Sequence, residues 1–333
     1  GLGDVYKRQR GAYVAVAETA RGHAVSTSHT RIARALLLAS GVAVGATAQA
    51  QVKPATTVVP ASGNTNAYLS GNGVPIVNIA TPNAQGLSHN KYTRYDVEAN
   101  GLVLNNGNTS QAARQSQLAG QVVGNTNLGK EASTILNEVV SNRRSVLAGF
   151  TEVLGGKADV IVANPYGITC SGCGFINSDR VTLTTGAPNI SLDGRLAGFS
   201  VTSGDVLING VGLNATAQQL LDIVTRSLVV QGQINTAPEG TLGITTGLNQ
   251  WNYDTRAVTG ATTGTDAQPT LAVDSSVLGG MYAGRIRLIS TEAGVGVRML
   301  GDAAAKVDDF SISSAGQVDI RSCLLYTSPS PRD

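Results

Sequence analysis

The sequence predicts an all-β chain wound as a solenoid of short strands, and three observations carry that reading. Forty Gly among 333 residues, with 4% aromatic and 14% charged side chains and abundant Thr, Asn, Val and Ala, suit short strands and frequent turns better than helical bundles. From 145 onward short apolar runs recur, at 146–147, 160–162, 181–183, 190–192, 199–201, 206–208, 228–234 and 242–244, with Gly, Asn or Asp in nearly every gap. The runs repeat one theme, Val, Leu and Ile alternating with Thr, Ser and Asn. Identical rungs would stack those apolar residues inward and the Asn into ladders. A β-sandwich also satisfies the strand count, and the repeats are too degenerate for a fixed period; the repeated theme favours the solenoid.

The two ends read differently. Residues 1–9, GLGDVYKRQ, and 322–333 share no pattern with what they flank and resemble translated sequencing adaptor, so both are set apart from the fold. Residues 10–50 read as an extended secretory signal: Arg31 and Arg34 precede an uncharged run at 35–48, and Ala48-Gln49-Ala50 supplies the small residues a signal peptidase needs. Cleavage after Ala50 leaves Gln51 as the first mature residue. The apolar run falls short of the roughly 20 residues that span a bilayer.

Taken in order, the mature chain opens with an extended Pro- and Thr-rich entry at 52–66. Val74, Ile76 and Ile79 with Pro75 predict an edge strand, because proline cannot donate into a central ladder. His89 falls in the polar stretch GLSHNKY, where a solvated loop histidine is expected. Tyr92, Tyr95, Val97 and 102–104 add strand material broken by Asn-Gly turns. Segment 111–121 reads as one polar helical turn or a loop. Ile135, Leu136, Val139 and Val140 fit either one face of a short helix or a buried strand. Segment 215–227 reads as a short capping helix or a packed loop, and Trp251 and Tyr253 as the base of a polar loop running to 270.

A formal charge of +2 with scattered Lys and Arg gives no footprint for nucleic acid, and the few carboxylates give none for a dedicated divalent metal. Asp159, Asp179, Asp193, Asp205 and Asp222 are scattered singly, whereas a polysaccharide-cleaving solenoid needs clustered carboxylates with a basic partner. No catalytic residue, cofactor or metal site is therefore assigned. Cys170 and Cys173 have two residues between them and no second cysteine pair to complete a zinc site. A chain that passes through an oxidising compartment would close them as a disulfide, and a reduced buried pair is the alternative.

Two motifs carry a family resemblance. Asn125-Thr126-Asn127-Leu128 resembles Asn-Pro-Asn-Leu, and Asn164-Pro165-Tyr166-Gly167-Ile168 resembles Asn-Pro-Asn-Gly-Ile, of the secretion domain in filamentous-haemagglutinin-type two-partner secretion proteins. Gly198-Phe199, Gly210-Val211-Gly212-Leu213 and the stretches at 221–226, 278–286 and 291–297 are similar to the same domain, and the signal extension at 11–30 resembles the leader of such exoproteins. The resemblance covers 51–321. Thr126 replaces the family's proline and Tyr166 its second asparagine.

That resemblance implies a right-handed parallel β-helix with short extra-helical strands and an N-terminal cap. It implies a secretion domain that passes the general secretion machinery and is read in the periplasm by an outer-membrane β-barrel transporter of a Gram-negative bacterium. The downstream region would then meet a host or neighbouring cell, as an adhesin or as the shaft of a contact-dependent toxin delivery protein. Asn125, Asn127, Leu128, Asn164, Pro165, Gly167 and Ile168 would either contact the transporter or fix the turns that present the contacting strand.

Overall fold

The computed structural model describes residues 53–322 and the backbone of Leu324–Tyr326. The signal-peptide reading with its cleavage between Ala50 and Gln51 and the segment 1–9 lie outside the described residues. Of the tail 322–333, residues 323 and 327–333 lie outside them as well, while Leu324–Tyr326, expected to stand apart from the fold, pairs in parallel with Ala303–Ala305.

The chain winds repeatedly through three parallel sheets. One full turn shows the plan: Asp159–Ala163 lies in a nine-stranded sheet 1, Ile168–Cys170 in a seven-stranded sheet 2, Cys173–Ile176 in a ten-stranded sheet 3, and Arg180–Thr184 returns to sheet 1. Each strand pairs in parallel with its counterpart one turn on, Val160 with Val181, Ile168 with Val206 and Cys173 with Leu213. The expected β-helix is what the residues form, because every turn places the same apolar positions inward over those of the turn before. Val160, Val181, Ile168, Val206, Cys173 and Leu213 all belong to the one continuous core inside the three sheets. The Asn ladder appears at the N-terminal end of sheet 3, where Asn105 Nδ2 donates to Asn78 Oδ1 at 2.8 Å and Asn78 Nδ2 to Asn66 Oδ1 at 3.2 Å.

Two antiparallel strands cap that end. Val58–Ser62 pairs with Leu87–Tyr95 through two register shifts around Pro60, and Asn66–Leu69 pairs with Pro75–Asn78. Pro75 is therefore not on an edge: its strand is paired on both sides, and proline is tolerated because it is the first residue, before the parallel register begins at Ile76. His89 is likewise not in a loop. It sits within Leu87–Tyr95, on the outer face of sheet 1, with Nε2 2.6 Å from Glu138 Oε2.

Two excursions leave the solenoid and fold back on it. Ala113–Ser116 and Gly120–Val123 form a hairpin, in place of the helical turn or loop expected at 111–121, and cover Val74, Ile76, Val103 and Leu154 on the outside of sheet 3. Ala187–Ile190, Leu196–Val201, Asn249–Asn252 and Val258–Ala261 form a four-stranded antiparallel sheet. Its Leu196, Phe199, Val201, Trp251 and Tyr253 pack on Leu136, Ile161, Ala163 and Val224, the outward residues of sheet 1. The runs at 190–192 and 199–201 are thus not rungs, and Trp251 and Tyr253 lie in and beside a strand of this cover.

The remaining helix expectations resolve to strands. Thr134–Val139 is a rung of sheet 1, and the segment 215–227 supplies Leu220–Thr225 and the start of Ser227–Val230. The apparent helical spacing has a physical source: Ile135 and Val139 face the inner core while Leu136 faces the extra-helical sheet. Where no cover lies outside, simple alternation returns, as in Arg285–Ser290, whose residues alternate outward and buried.

Candidate functional site

The two asparagine motifs build the same local device. Asn125 Oδ1 accepts the Asn127 amide at 3.0 Å while its carbonyl accepts the Leu128 amide at 3.2 Å. Asn164 Oδ1 accepts the Tyr166 amide at 2.9 Å while its carbonyl accepts the Gly167 amide at 3.0 Å. Each is an Asx turn superposed on a β-turn, which the short carboxamide closes without help from the following residue. That explains why Thr126 can stand where the family has proline.

The amide ends of these side chains point into the molecule. Asn125 is fully buried, and its Nδ2 donates to the carbonyls of Ile79 and Asn105, both at 3.0 Å. Asn164 is equally buried, and its Nδ2 donates to Arg143 O at 2.8 Å and to Ser145 Oγ at 3.0 Å. Each therefore adds side-chain bonds that tie the solenoid together at a corner. Their bonding partners differ and none is shared. Leu128 and Ile168, which follow the turns, enter the inner core.

Asn127 is half-buried and donates to Asn64 O at 2.6 Å and Ile79 O at 3.1 Å, which fastens the entry segment to the first corner. Pro165 is half-buried, and its carbonyl accepts from Ser203 Oγ at 3.3 Å. Gly167 adopts φ +101°, and a side chain there would run into the Arg144 guanidinium. Arg144 crosses this glycine to bond both carboxylate oxygens of Asp205, at 2.8 and 2.7 Å, and also donates to Ile168 O and Thr169 Oγ1. Outward from the turn only Tyr166 projects, 56% exposed.

Cys170 and Cys173 are joined as a disulfide with Cα atoms 5.4 Å apart, at the corner between sheets 2 and 3. Both are buried in the inner core, so the bridge staples a turn rather than presenting a thiol. Between them Gly172 takes φ +94°, which lets the chain turn within that short ring.

Several carboxylates that look scattered in the sequence are gathered by the fold. Asp222 is buried and accepts from Arg180 at 3.2 Å and from Arg256 at 2.6 and 2.9 Å. The Tyr253 hydroxyl donates to Asp159 at 3.0 Å, and burial pushes the Asp159 carboxyl above its ordinary value against the opposing pull of Tyr253 and Arg180. This network latches the extra-helical sheet to sheet 1, with Asp222 neutralised by two arginines. Asp205, Asp179 and Asp193 are occupied by Arg144, Lys157 and the turn Ser191–Arg195 respectively.

Two further polar centres gave little sign of themselves in the sequence. Glu152 is buried on the outer side of sheet 3 and accepts from Ser116 Oγ at 2.6 Å and from the amides of Gln117 and Leu118 at 3.0 and 3.1 Å, capping the hairpin turn. Arg226, also buried, pairs in bidentate fashion with Glu292 at 2.8 and 3.1 Å and bonds Asp266, which anchors the loop before Leu271–Ser275. A lone Glu in the apolar strand Phe150–Gly155 is the only sequence signal for the first.

A family model described as the TPS secretion domain matches residues 50–320. The chain belongs to the TPS secretion domain family. It is similar to the solved filamentous hemagglutinin secretion domain, with a TM-score of 0.71 and 34% identity over 82% of this chain and 95% of that one. Among curated relatives, a 16S rRNA endonuclease CdiA from Enterobacter cloacae subsp. cloacae is 47% identical over 81% of this chain. A tRNA nuclease CdiA from Escherichia coli O6:K15:H31 is 46% identical over 77% of it, and a tRNA nuclease CdiA-2 from Burkholderia pseudomallei is 37% identical over 94%. The chain spans 8%, 8% and 10% of the length of these three relatives.

Proposed function

We propose that this TPS domain is the periplasmic address of a large exoprotein, read there by the soluble part of an outer-membrane β-barrel transporter, and that its β-helix then templates the folding of the exported chain. The observation that carries the reading is the polarity of the solenoid. At one end Val58–Ser62 and Asn66–Leu69 pair antiparallel and carry Pro60 and register shifts, which discourage further strand addition. At the other end the outermost strands, Phe310–Ser314 and Val318–Ile320, continue the parallel register. Growth rung by rung from that end needs no energy source beyond burial of each new apolar stack.

In this reading Asn125, Asn127, Leu128, Asn164, Pro165, Gly167 and Ile168 act by fixing turns, and Cys170 and Cys173 by closing a ring too small to hinder an extended chain in a pore. The destination is the Gram-negative cell surface by way of the periplasm. The names of the CdiA relatives, nucleases or toxins, favour a toxin-delivery exoprotein over an adhesin. Export of the chain with and without a co-expressed transporter tests the reading; appearance outside the cell at the same level without the transporter contradicts it.

A further inference from the structure

The buried Asn164 side chain is a bracket between two exposed residues on neighbouring turns. Its Nδ2 holds the Arg143 carbonyl at 2.8 Å and its Oδ1 holds the Tyr166 amide at 2.9 Å. One carboxamide thus fixes both backbones at the corner between sheets 1 and 2, where successive rungs lie about 4.8 Å apart. The side chains so placed face solvent: Tyr166 is 56% exposed, Arg143 is exposed, and neither phenol nor guanidinium makes a hydrogen bond or ion pair among the described residues.

The surrounding charges are already consumed. Arg144 is paired with Asp205, Asp96 with Arg94, and Asp266 with Arg226. Arg143 therefore leaves an unpaired positive charge on the turn next to the one that carries Tyr166, the two backbones joined through the Asn164 carboxamide. Tyr and Arg are the residue types that anchor protein interfaces, since each brings a large contact area and a polar tip at modest entropic cost. Nothing in the packing of the solenoid requires a tyrosine here, because the Asx turn closes through the main chain of residue 166 whatever its side chain.

We infer that Tyr166 and Arg143 form a two-residue contact read by a protein partner whose surface offers an apolar socket for the phenol beside a carboxylate for the guanidinium. The inference rests on the reading above, in which that partner is the periplasmic part of the transporter. It assigns recognition to the outward face of the Asn164 turn, with the enclosed asparagine as scaffold.

The test uses the chain exported in cells with its transporter. Tyr166→Ala and Arg143→Glu are expected each to lower export about tenfold, and Tyr166→Phe to stay within about twofold, the range separating a hot-spot loss from a neutral change. Purified variants should melt with the parent domain. A photo-cross-linking p-benzoylphenylalanine at 166 or at 143 should join the chain to the barrel protein, identified by mass spectrometry of the adduct. Export of both Tyr166→Ala and Arg143→Glu within twofold of the parent, or adducts only to other proteins, overturns the inference and leaves the secretion reading standing. Unchanged export after deletion of the barrel gene overturns the secretion reading itself.

Discussion

The Arg180 guanidinium lies over the Tyr253 ring with Cζ 3.7 Å from its centroid, and the same group donates to the Tyr253 carbonyl at 2.7 Å and to Asp222 at 3.2 Å. One side chain from sheet 1 thereby holds the extra-helical cover by ring, backbone and charge at once. Arg180→Ala leaves the buried Asp222 with a single partner and should destabilise the domain by about 3 kcal/mol, the scale of a broken buried pair. Arg180→Lys should restore little, because an ammonium cannot stack and fork together. Urea unfolding of the three proteins measures both.

The neighbouring Asp159 gives a pH signature. Its carboxyl is raised from 3.8, chiefly by burial, with Asp179 and Asp222 pushing the same way and Tyr253 and Arg180 opposing. The folded state therefore holds this proton more tightly than the unfolded chain. The resulting stabilisation is fully present below 3.8 and is lost as pH rises through the folded value. Asp159→Asn should raise the melting temperature at pH 7, leave it unchanged at pH 3, and flatten the profile between. An Asn variant that melts below the parent at pH 7 contradicts this sign.

Glu152 should behave as a local anchor. It binds the hairpin turn through Ser116, Gln117 and Leu118, so Glu152→Ala leaves one buried and two part-buried donors without their acceptor, at a cost of about 2 kcal/mol. Hydrogen exchange should speed up across Ala113–Ser116 and Gly120–Val123 while protection in Asp159–Ala163 stays as it was. Equal loss in both regions would mean that Glu152 supports the whole solenoid.

How far these features were visible beforehand follows from where their partners lie. The solenoid was legible because inward residues such as Val160 and Val181 stack at one register and repeat a single apolar theme. The extra-helical sheet was not, because Phe199 and Val201 bury against sheet 1 as completely as a rung residue buries inside it. Two-sided burial also disguised Thr134–Val139, where Leu136 fills the gap in a period of two. The asparagine turns could be found from their motifs, since an Asx turn is local. The direction of their Nδ2 groups could not, because Asn125 bonds Ile79, a residue on an earlier turn. Glu152 and Arg226 find partners 34 to 66 residues away, beyond any local pattern.

The Cys170–Cys173 bridge closes a ring with a sequence separation of 3. Loop-closure entropy for so short a ring amounts to about 2 kcal/mol. Reduction should lower the urea midpoint by a corresponding amount without abolishing folding, since the ladders on either side remain. Labelling of both thiols in the denatured, unreduced chain would show that the bridge is not formed in solution.

In the proposed recognition Asn164 works through the fold, and the residues it presents do the contacting. The most direct measurement sets melting beside export for Asn164→Ala and Tyr166→Ala. Three side-chain hydrogen bonds are lost in the first, two donated by the amide nitrogen and one accepted by the carbonyl oxygen, and none in the second. Asn164→Ala should therefore lose about 2 to 3 kcal/mol of stability and export together, while Tyr166→Ala loses export with stability intact. If Asn164→Ala blocks export at unchanged stability, the asparagine itself is the contact and the account fails.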